Sequence, residues 1–112
     1  MNDIARCKVR NEVDGDGNPA GGVVYGSGLS IQWQDGPLGR GDQKKAPKGA
    51  FVETVIAACI KRLRFYQQAG GGKFKCDENA EAMGALQGAL LHLNNRTARR
   101  NRSGTEGSHE GN

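Results

Sequence analysis

The apolar residues of this chain change their period near Ala50, and that change dictates the order of its secondary structure. Upstream, "ARCKVRNEV" alternates Cys7, Val9 and Val13 against Arg6, Lys8, Arg10 and Glu12, the period of two expected of a strand with one wet face. "VVYGSGLSIQWQ" supplies two more short strands around Gly26 and Gly28, the second alternating Leu29, Ile31 and Trp33 against Ser30, Gln32 and Gln34. Downstream, Val52, Val55, Ile56, Cys59, Leu63 and Tyr66 recur at helical spacing, with Glu53, Lys61, Arg62 and Gln67 off that stripe. The glycines of "AGGGKFK" end this helix. A second helix opens near Asp77, whose carboxylate is placed to cap the first amides, and carries Met83, Leu86, Leu90, Leu93 and Thr97 on one face. The pattern predicts an α+β fold in one domain over residues 1–112. A small antiparallel sheet of three to four strands (about 4–48) precedes helices at about 50–68 and 77–102, the second long, and a flexible tail at 103–112.

Such a chain has little with which to fill a core. Its 112 residues are 36% hydrophobic and include 18 glycines, a composition that favours burial shared across a subunit interface, so a homo-oligomer is expected. The second helix, at 1.5 Å per residue, is about 39 Å long, more than a small domain needs, and its excess is expected to cross a neighbouring subunit. Ala80, Gly84 and Gly88 give it a second face of small residues. Another helix can approach closely there, although each glycine costs about 1 kcal/mol in a helix.

Net charge is +4, with basic residues gathered in Lys44 to Lys48, Lys61 to Arg64, Lys73 to Lys75 and Arg96 to Arg102. Clusters of this sign attract nucleic acid, nucleotides or an anionic surface. Three widely spaced cysteines, Cys7, Cys59 and Cys76, and the lack of a recognisable signal segment suit a reducing, cytosolic compartment. No apolar run approaches the roughly 20 residues of a membrane span. Asp14, Asp16 and Asn18 alternate like the start of a calcium loop, but Pro19 stands where that loop needs glycine and Tyr25 where it needs a bidentate glutamate. "GGGK" follows a helix and lacks the Ser or Thr of a phosphate-cradling loop. His92 and His109 have no partners at metal-ligand spacing, and no nucleophile has a base near it in sequence. No metal, cofactor or catalytic group is expected.

Four arginines fall within seven positions at the end of the second helix. Extending its apolar stripe by three residues lands on Arg100, with Arg96 one turn earlier. Like charges at this spacing destabilise a bare helix by a few tenths of a kcal/mol, and a guanidinium fork matches phosphate, so an anionic ligand is one reading. The other is plain macrodipole complementarity at a helix C-terminus. Phe74 lies in a glycine-rich loop between Lys73 and Lys75, where a ring flanked by cations can stack on a base or simply anchor the loop.

The segments "GLSIQWQDGPLGRGDQKKAPKGAFVETVIAACIKRLRFYQ", "KFKCDENA" and "LLHLNNRTARRNRSGTEGSH" together resemble the small phage proteins of the anti-Thoeris sponge family, over about residues 20 to 110. The resemblance implies a small antiparallel sheet followed by two helices, assembled into dimers and, in several members, hexamers. It implies a protein of the host bacterial cytoplasm that holds a cyclic ADP-ribose isomer uncut, in some members with cyclic oligonucleotides at separate sites. Carried over by position, Arg96 and Arg100 match the pair placed on the ligand's phosphates, Asn79 matches the asparagine of the C-x-E-N segment that meets base or ribose, and Phe74 is the candidate to stack on adenine. Ser103 precedes Gly104 where the family usually has arginine then glycine, and the extra cations are Arg99 and Arg102, so Arg99 is a further candidate contact. Lys48 stands where asparagine is expected before G-A-x-V-E, making the entrance loop more basic. A small basic nucleic-acid-binding phage protein is the alternative, and a hydrolase of the cyclic nucleotide a third class.

Overall fold

Three strands pair antiparallel in the order of the chain: β1 (Lys8–Val13), β2 (Pro19–Gly26) and β3 (Leu29–Trp33). Val9 lies opposite Val24, and Val24 opposite Ile31, so one apolar row crosses the whole sheet, as the alternation at period two requires. This is a computed structural model, and it describes residues 6–36, 38 and 46–103. The expectations for the two ends of the chain and for most of the 37–45 loop lie outside those residues.

The first turn is tighter than the run of turn-forming residues suggests. Asp14 Oδ1 accepts the N–H groups of Asp16 (2.9 Å) and Asn18 (3.0 Å), and the Gly17 N–H donates to the Asp14 carbonyl at 3.0 Å. That confines the turn to Asp14–Asn18 and releases Pro19 to open β2, where a missing N–H is tolerated. Gly21 and Gly22 therefore belong to the strand, beside a register shift between Asn11 and Val13. Gly22 has φ +132°, and a Cβ there would lie 2.2 Å from the Arg10 carbonyl oxygen. Only glycine lets the two strands close up at that point.

After the loop the chain returns to the free edge of β3. Trp33 bridges Ala50 in parallel, the Gln34 N–H donates to the Ala50 carbonyl at 2.9 Å, and the Ala50 N–H donates to the Gln32 carbonyl at 2.8 Å. Gln34 Oε1 accepts from the N–H groups of Lys48 (2.7 Å) and Gly49 (2.9 Å). One side-chain oxygen thus satisfies two consecutive amides of a segment with no regular structure of its own.

The chain divides into two compact units, this sheet unit reaching to Phe51 and a helical unit spanning Val52–Arg102. In the latter, α1 (Val52–Gln68) and α2 (Asp77–Ser103) are joined by a 3-10 turn at Ala69–Gly72. Gly70, Gly71 and Gly72 all have positive φ, at 61°, 70° and 91°, so the glycines reverse the chain rather than merely ending a helix. Contacts at both ends show that the helices run antiparallel. Gln67 at the end of α1 reaches Cys76 and Asn79 at the start of α2, and Glu53 at the start of α1 meets Arg96 far along α2. Between them Ile60, 6% exposed, is the buried hydrophobic residue among those described.

Two details of the helices differ from the sequence reading. The inward face of α1 is centred on Ile56, Ile60 and Leu63, whereas Cys59 and Tyr66 are exposed, because the polar anchors Glu53 and Gln67 turn that side toward α2. Asp77 occupies the first helical position and makes no capping bond among the described residues. Cys76 is the residue whose carbonyl accepts the first helical N–H, from Ala80 at 3.3 Å. Asp77 and Glu78 still complement the positive end of the α2 dipole.

Replacing Gly22 by Ala is expected to lower stability by about 2 kcal/mol or more, since it combines backbone strain with a clash against a carbonyl. Thermal unfolding followed by circular dichroism checks this, with Gly28→Ala, where a Cβ meets open space, as the milder comparison.

Candidate functional site

The long helix presents a mixed face. Met83, Leu86, Leu90, Leu93 and Thr97 are all partly buried, and so are Asn79, Arg96 and Arg100. Arg99 and Arg102 are exposed. The helical period therefore sorts the four arginines, placing Arg96 and Arg100 in line with the apolar stripe and the other two in solvent.

Arg96 is held loosely. Its Nη2 lies 3.7 Å from Glu53 Oε1, an ion contact longer than a hydrogen bond. Its Nε is shielded from solvent and has no hydrogen-bond partner among the described residues. A desolvated N–H donor without an acceptor is penalised by about 1–3 kcal/mol. Among the described residues the guanidinium is thus only partly satisfied, and a guanidinium N–H is a strong donor to anionic oxygens in general.

At the far end of the same helix the turn presents a second group of features. Phe74 is 58% exposed, with Lys73 Nζ 5.2 Å from its ring centroid. Asn79 donates from Nδ2 to Gln67 Oε1 at 3.2 Å. The separation of 17 positions from Asn79 to Arg96 corresponds to about 25 Å along the helix axis. No dinucleotide-sized ligand reaches both within one protomer. Lys48, on the sheet unit, is exposed and fixed through its N–H to Gln34.

The sequence reading missed Gln67, Glu53 and Gln34, each of which holds a candidate contact or its backbone. Gln67 carries a faint signal, being polar one turn beyond Leu63 on the buried line of α1. Among the described residues no group of His, Cys, Asp and Glu is arranged to hold a metal, and no helix is long and apolar enough to cross a membrane. Cys7, Cys59 and Cys76 are free and exposed.

No family model matches the chain. A curated relative does: Thoeris anti-defense 1 of Bacillus phage SBSphiJ7 is 38% identical over 81 residues, covering 72% of this chain and 52% of the relative. The chain belongs to the anti-Thoeris family. This anti-Thoeris chain spans about half the length of the curated relative it matches. The three-stranded sheet followed by two helices is the architecture that the family resemblance implied.

The Glu53–Arg96 contact is partly exposed and long, so Glu53→Gln is expected to change unfolding stability of the anti-Thoeris protein by less than about 1 kcal/mol. A denaturant titration checks this; a loss above about 2 kcal/mol would show the pair to be a structural strut.

Proposed function

We propose that this protein counters Thoeris immunity by binding and sequestering a cyclic ADP-ribose-type signal (gcADPR) without degrading it. The observation that supports this most directly is Arg96, aligned with Arg100 on a partly apolar helix face, with a shielded Nε that its own protomer leaves without an acceptor among the described residues. Two guanidinium groups one turn apart fit the two phosphates of such a ligand, each able to form paired charge-assisted hydrogen bonds. Sequestration needs no nucleophile or general base, only affinity and enough protein to outnumber the signal. A cyclic oligonucleotide offers the same phosphate chemistry and is a second candidate ligand.

The site as proposed spans two protomers. Asn79 sits about 25 Å along the helix axis from Arg96, and Phe74 precedes the helix at the Asn79 end, so one ligand meets both groups only if a second, antiparallel copy brings its turn beside the arginines. The protomer is suited to such pairing: Val13 is 66% exposed and Leu91 59%, with Val9, Leu29, Val52 and Phe65 also open. On the small-residue face, a Cβ added at Gly84 or Gly88 would meet nothing within 4 Å, leaving room for another helix. A dimer, or a hexamer built from dimers, would bury these surfaces.

The alternative, a nucleic-acid-binding module, draws on the basic clusters and predicts binding that weakens steeply with salt. Incubation with the cyclic ADP-ribose isomer, heat denaturation and analysis of the released small molecule separates the readings. Intact ligand returned in stoichiometric amount supports the sponge, altered ligand supports an enzyme, and no captured ligand favours nucleic-acid binding. Arg96→Ala and Arg100→Ala are each expected to remove most capture while leaving the helical circular-dichroism signal unchanged. Wild-type capture by both variants would remove the site assignment.

A further inference from the structure

Gln67 does more than join two helices, because its own orientation is forced. Its Nε2 donates to the Cys76 carbonyl at 3.1 Å, and its Oε1 accepts the Cys76 N–H at 3.0 Å. A backbone N–H can only donate and a backbone carbonyl can only accept, so the side-chain amide has one permitted orientation here. The clasp takes both polar groups of the residue that caps α2. Its Oε1 is therefore committed to face Asn79.

That commitment propagates. The atom of Asn79 that meets Gln67 Oε1 must be a donor, and it is Nδ2, at 3.2 Å. Asn79 Oδ1 is consequently turned away from Gln67, and it has no partner among the described residues. A free asparagine presents oxygen or nitrogen with equal ease, since its amide flips by rotation about one bond. This one is held in a single sense by a chain of bonds that begins at the main chain.

Resting on the capture of a nucleotide-type ligand proposed above, we infer that Gln67 is a positioning residue that fixes Asn79 with its carbonyl oxygen outward. The site is thereby set to accept a hydrogen bond from an amino group on the ligand's base. A base with a keto oxygen at that place would meet Asn79 Oδ1 acceptor to acceptor and be rejected. The polarity of Asn79, and so the selectivity of the site, is written by a residue on the other helix.

The probes are ADP-ribose cyclised through its two ribose rings and the same ring carrying hypoxanthine in place of adenine. Wild-type protein is expected to hold the adenine ring at least about tenfold more tightly, the scale of one buried hydrogen bond exchanged for a clash. Gln67→Met, which fills the same space without polar atoms, is expected to reduce that preference to within about threefold while still capturing both rings through the arginines. Undiminished preference in Gln67→Met, an equal loss of both rings, or no preference in the wild type overturns the inference. Failure of the wild type to hold either ring defeats the capture reading instead, and the positioning claim is then decided without ligand. In wild-type protein, one Asn79 side-chain amide proton should exchange with water more slowly than in Gln67→Met, as read by nuclear magnetic resonance. Equal exchange in the two proteins overturns it.

Discussion

The helical unit is fastened at its two ends by polar contacts and has little between them. Gln67 clasps the first residues of α2 with three hydrogen bonds, and at the open end Glu53 meets Arg96 at 3.7 Å. Only Ile60 is buried in the stretch that separates them, among the described residues. Hydrophobic burial is ordinarily the dominant favourable term in folding, and a hairpin this sparse has little of it within the protomer. The helical unit thus depends on a closed turn and leaves Val52, Phe65 and Leu91 exposed.

This frugality bears on function. A side chain packed into a finished core would have its hydrogen bonds complete, whereas Arg96 retains a shielded donor because, among the described residues, the helix opposite offers it a distant carboxylate. The carboxylate is near enough to keep the guanidinium from wandering. It is too far to saturate it. At the turn, three glycines with positive φ project Phe74 into solvent and deliver Asn79 to Gln67. The proposed site draws on both ends of α2, and the length of the helix keeps those ends apart.

The α2 face is well disclosed by the amino-acid pattern, because a period of 3.6 sustained from Met83 to Arg100 leaves no freedom in which side each residue takes. The sheet is equally legible from Val9, Ile31 and Trp33. The start of β2 is not, since Pro19, Gly21 and Gly22 read as turn formers until Asp14 is seen to complete the turn by Asn18. The α1 face reads a residue or so out of place, Ile60 lying inward where Cys59 is expected, as polar anchors at both ends bias the rotation of a weakly apolar helix. Gln67 shows only a faint signal in the sequence, its polar place one turn beyond Leu63, because its partners lie beyond glycines whose left-handed backbone has no side-chain signature. The arginine pair is visible as a pattern, but the shielded Nε of Arg96 is a fact of three dimensions.

The most direct measurement is complementation between two disabled proteins, Asn79→Ala and Arg96→Ala, co-expressed so that mixed oligomers form. If the ligand is held by the arginines of one protomer and the turn of another, each variant alone captures little of the cyclic ADP-ribose isomer. A random mixture then restores up to about a quarter of wild-type sites, because half the dimers are mixed and each has one intact site of two. No recovery in mixed oligomers shown to have formed would contradict the account.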